Sequence, residues 1–94
     1  MKESISKETA YILCSHMIEE VSSKMISRSF EDIDDKPEHA GLIFMTTGTI
    51  AGITDFYRRM FGEDTVEFKM LEKLCKCQTD AVLLSGDRAF NGDD

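Results

Sequence analysis

No tryptophan occurs in this 94-residue chain, proline occurs once, and aromatic residues make up only 9% of it. With six methionines and no tryptophan, the core is expected to be adaptable rather than rigid. Cysteine is scarce too. Cys14, Cys75 and Cys77 are an odd number, and the opening MKESISKETA has two glutamates and no apolar h-region. That combination reads as reduced thiols in the cytoplasm, not as a disulfide framework behind a secretory signal. Basic charge is in short supply: 11 Lys and Arg stand against 18 Asp and Glu, a formal net charge of −7. General binding to DNA, RNA or anionic lipid is disfavoured by that balance, because neutralising phosphate dominates such affinity. A basic protein partner is permitted. No run is long and apolar enough to span a bilayer; the uncharged stretch 40–54 is too short, and Pro37 and acids precede it. A P-loop, a dinucleotide fingerprint and a nucleophile elbow are all missing.

What is present is 41% apolar and 31% charged residues, the composition of a globular domain. Ninety-four residues make one domain, with residues 1–5 frayed. Tyr11, Cys14, Ile18, Val21 and Met25 recur three and four apart, which places them in one helical stripe. Ser6 is the natural N-cap, and the helix is expected over 7–29. The serines at 22, 23, 27 and 29 weaken its last turns, since hydroxyls compete for backbone groups.

Asp35 followed by Glu38 fits a capping box, with Pro37 in the first turn where its missing N–H costs nothing. A second helix is therefore expected over 36–61. Its middle, AGLIFMTTGTIAGIT, has no formal charge and reads as a mostly buried central rod flanked by both neighbours. Leu42, Met45, Thr49, Ile53, Phe56 and Met60 form its main stripe. Gly48 and Gly52, one turn apart, would let a partner helix pack close, and they are the expected oligomer interface of a homodimer. The competing reading is a β-hairpin, LIFMT–TG–TIAGIT, because its glycines and threonines disfavour helix. The hairpin lacks other strands to pair with.

Gly62 is a left-handed helix terminator, and Asp64 with Glu67 repeats the capping box. A third helix is expected over 65–85, with Val66, Met70, Leu74, Cys77, Ala81 and Leu84 inward, Gly86 ending it, and 87–94 a mobile polar tail. The sequence thus predicts an all-α fold, a small three-helix up-down-up bundle self-associating through the central helix.

Candidate chemistry is thin. Cys75 and Cys77 point to nearly opposite sides of a helix and cannot chelate one ion together. A zinc site would need both His16 and His39 as well, so no metal and no cofactor are expected. The acids Glu31, Asp32, Asp34, Asp35 and Glu38 lack the EF-hand pattern. They read as caps and a solvated connection, or as an acidic patch that imitates nucleic-acid phosphate. Residues 58–76 carry net +1 and the rest of the chain −8. There Tyr57, Arg58 and Arg59 are candidates for binding an anion. The function expected is that of a non-enzymatic interaction protein, an adaptor or inhibitor that binds another macromolecule, with a basic nucleic-acid-binding protein as the sharper version. The alternative is an oligomeric binder that sequesters a small, nucleotide-like anion.

Overall fold

A computed structural model describes residues 5–31 and 35–91, with 88–91 described by backbone alone. Three helices form: α1 over Lys7–Ser29, α2 over Lys36–Phe61 and α3 over Val66–Asn91. Each starts on a side-chain cap. Ser6 Oγ accepts the Thr9 N–H at 3.1 Å, and Asp35 Oδ1 accepts the Glu38 N–H at 3.0 Å. For α3 the cap is Thr65, whose Oγ1 accepts the Phe68 N–H at 3.0 Å, and not Asp64. The helix begins one residue later than the expected 65.

The threonine-rich middle of α2 is helical, not a hairpin. The hydroxyls of Thr46, Thr49 and Thr54 donate to the carbonyls one turn back, of Leu42, Met45 and Ile50, at 2.8–3.1 Å. The hydroxyls are thus satisfied within the helix, and burial of Ile43, Ile50 and Tyr57 on its inner face outweighs the propensity cost of β-branched threonine. Gly62 then turns the chain at φ 86°, ψ 170°, a region open essentially to glycine alone. Its N–H closes the helix on the Arg58 carbonyl at 2.7 Å.

The helices run up, down and up, and every pair packs together. A centre forms from Cys14, Ile18 and Met25 of α1, Ile43, Ile50 and Tyr57 of α2, and Phe68, Leu71 and Val82 of α3. The arrangement is triangular. The expectation that α2 alone lies between two neighbours is therefore corrected: Ser22 Oγ of α1 donates directly to Gln78 Oε1 of α3 at 2.8 Å.

The inward faces differ from expectation in a consistent way. Small and polar residues occupy inner positions: Ser22, Ser29, His39, Thr54 and Ser85 are all buried. Large apolar residues expected inside lie outside, including Met45, Phe56 and Met60 of α2 and Val66, Met70 and Leu84 of α3. On α3 the inward stripe is Phe68, Leu71, Cys75, Gln78, Val82 and Ser85, so the cysteines exchange roles. Cys75 packs against the core and Cys77 is exposed. Gly86 does not end α3; the helix runs through it to Asn91. The residue is buried, and a Cβ there would collide with Ile43 Cδ1, so its role is close contact with α2. The expected tail over 87–94 is thus helical to residue 91, and 92–94 lie outside the described residues.

Candidate interaction surface

The serines of α1 meet α2 and α3 in a buried polar cluster. Ser29 Oγ donates to the Met25 carbonyl at 3.1 Å and lies 3.0 Å from His39 Nε2. Ser85 Oγ donates to the Val82 carbonyl at 2.8 Å and lies 3.4 Å from Ser29 Oγ. With both serine protons on carbonyls, the bond between ring and Ser29 is satisfied by an Nε2–H tautomer that donates. Burial, and then the charge of Arg28, hold the imidazole pKa below its ordinary value. Serine and histidine touch here, and both are buried, His39 3% and Ser29 5% exposed. Among the described residues no buried side-chain polar atom lacks a partner.

The anion candidates do not converge. Tyr57 is fully buried; its hydroxyl donates to the Lys7 carbonyl at 3.1 Å, and burial pushes its phenol pKa up. Arg58 and Arg59 are exposed and share Asp55, with contacts of 2.6 and 2.7 Å. Those two guanidinium groups, Arg59 first, hold the Asp55 carboxyl below its ordinary pKa. A ring stacked beside a free guanidinium is therefore not assembled. Of the acidic patch, Glu31, Asp35 and Glu38 are exposed, with Asp35 committed to capping, while Asp32 and Asp34 lie outside the described residues. No group of three His, Cys, Asp or Glu side chains able to hold a metal ion occurs among the described residues. No helix among them is long and apolar enough to cross a membrane.

What the molecule does assemble is an apolar groove between α1 and α2. It has a volume of about 490 Å³ and is lined by Ile5, Ala10, Leu13, Cys14, Met17, Thr49, Gly52, Ile53 and Phe56. No lining residue carries a formal charge. Leu13 and Met17 are each 49% exposed and Phe56 58%. Gly52 in the lining and Gly48 one turn before it both lie open: a Cβ built on either meets no atom within 4 Å. Further along the same helix pair charged side chains join the lining. There a second hollow of about 500 Å³ is bounded by Val21, Lys24, Met25, Ser27, Arg28, Glu31, Leu42 and Thr46.

Gly48 and Gly52, expected from their spacing to admit a close helix, are exposed on α2, and among the described residues no element packs against them. Leu13, Met17 and Phe56 were not legible as surface, because their spacing equally suits a core stripe. The chain matches no known protein family, no curated protein and no solved structure.

Proposed function

We propose that this chain is a non-enzymatic protein-interaction module that docks another protein helix or surface on its α1–α2 face. The observation carrying this reading is the charge-free groove whose rim exposes Leu13, Met17 and Phe56 together. Single exposed apolar residues are ordinary on soluble proteins, whereas contiguous ones mark contact sites. Aromatic and methionine side chains are also the residues that interfaces favour over the rest of a surface. The acid-rich α1–α2 connection is the weaker candidate, since Asp35 already serves as a cap. Three free thiols, Cys14, Cys75 and Cys77, support action in a reducing compartment such as the cytoplasm.

Affinity capture from cells that make the protein tests the reading, using the native chain beside a Leu13→Asp/Phe56→Asp double variant. Both sites are half exposed, so the fold should survive the exchange. The expected result is a protein retained by the native chain and lost with the variant. Equal recovery by both would refute docking on this face.

A further inference from the structure

We propose that the occupant of the α1–α2 face is a second copy of this chain, its α2 lying antiparallel to the first about a two-fold axis between Gly48 and Thr49. The inference rests on the docking reading above and adds the partner and its register. Along α2, Glu38, Gly41, Met45, Gly48, Gly52 and Arg59 fall three, four or seven residues apart. They therefore share one stripe, and all of them are exposed. A Cβ added at Gly41, Gly48 or Gly52 would meet nothing within 4 Å, so large and small members of the stripe both stand uncovered.

Reversed against itself about that axis, the stripe is complementary in shape. Met45 of one copy falls over Gly52 of the other, and Gly41 falls beside the other's Phe56. Glycine permits such approach because it has no Cβ. Alternate spacings of three and four are the seam of helices that cross at a shallow angle.

The stripe is also complementary in charge. Glu38 and Arg59 are equidistant from the axis, so Glu38 of each copy meets Arg59 of the other, twice by symmetry. A parallel pairing would set Glu38 on Glu38 and Arg59 on Arg59. Arg59 uses Nε to hold Asp55 Oδ2 at 2.7 Å, which leaves its outer nitrogens for another carboxylate. From Ala40 to Thr54 no formal charge intervenes. That matters because two copies of net charge −7 repel over the rest of their surfaces.

Sedimentation equilibrium of the native chain, of Glu38→Arg and of Arg59→Glu, each alone and the two variants mixed, tests the register. Circular dichroism checks that each variant keeps its helices. The native chain is expected to dimerise. Each variant alone should dimerise roughly tenfold more weakly, since two exposed pairs turn from attractive to repulsive. The equimolar mixture, where opposite charges meet at both ends, should recover native affinity as a heterodimer. Gly52→Leu, which occupies the space for Met45 of the second copy, should abolish the dimer and spare the monomer. A mixture no tighter than either variant alone, or a dimer that survives Gly52→Leu, would overturn the register. A native chain monomeric at millimolar concentration would overturn self-pairing. In that case a protein captured through Leu13 and Phe56 would leave the docking reading standing, and no such capture would remove both.

Discussion

At the scale of single residues, the least expected participant is His39. Sequence spacing offers it only as a remote metal ligand, yet it closes the polar cluster with Ser29 and Ser85. Its depressed pKa has a definite consequence for stability. Below an ordinary histidine pKa of about 6.5 the unfolded chain gains a proton that the folded chain resists. The unfolded state then binds more protons, and stability falls as pH drops from there until the folded imidazole titrates as well. The urea midpoint of the native chain should therefore decline from about pH 7 to about pH 5, the window in which histidine changes charge. In His39→Gln the midpoint should start lower and decline less over the same window. An unchanged slope in the variant would assign the decline to other groups. Nothing in the sequence distinguishes His39 from His16, which is exposed. The difference is rotational: His39 lies one turn before Ile43 on the inward face of α2.

At the scale of elements, helix extents were far more legible than helix faces. The bounds of α1 and α2 follow from caps that depend on neighbouring residues, Ser6 with Thr9 and Asp35 with Glu38. Faces depend on which of two apolar stripes each helix turns inward, and α2 and α3 carry apolar residues on both. The inner stripes are marked by Thr54, Gln78, Ser85 and Gly86, residues that apolar counting rejects. Their small size allows close contact, and their polar atoms find partners across the bundle. Gly86 was misread for a related reason. Glycine near a helix end usually terminates it, but here the missing Cβ makes room for Ile43. Two glycine substitutions should therefore have opposite signs. Gly86→Ala forces the buried Ile43 Cδ1 to move; the cost of overpacking a core, about 1–3 kcal/mol, is offset by about 1 kcal/mol of helix propensity, so the net destabilisation should be about 0–2 kcal/mol. Gly48→Ala adds a Cβ into open space and should stabilise the monomeric helix by up to about 1 kcal/mol through propensity. Denaturant midpoints at low concentration check both. A Gly86→Ala midpoint at or above native would mean that the α2–α3 contact is looser than described.

At the scale of the whole molecule, the bundle divides its apolar residues unusually. The centre is narrow and partly polar, and much of the bulk that would fill a larger core stands outside, with Phe44 71% and Met45 67% exposed. In this bundle, with principal extents of 55 × 23 × 16 Å, that surface stays exposed on the single chain. The proposed pairing would also account for the charge pattern of α2, acidic at its start, neutral through its middle and basic at its end. The central proposal is that the outward apolar face pairs with a second copy of this chain, and thermal melting over about a hundredfold range of chain concentration tests it most directly, because association that requires the folded state raises the melting temperature with concentration. The account predicts a rise of several degrees for the native chain and none for Phe56→Glu. A native melting temperature that stays constant across that range would contradict it.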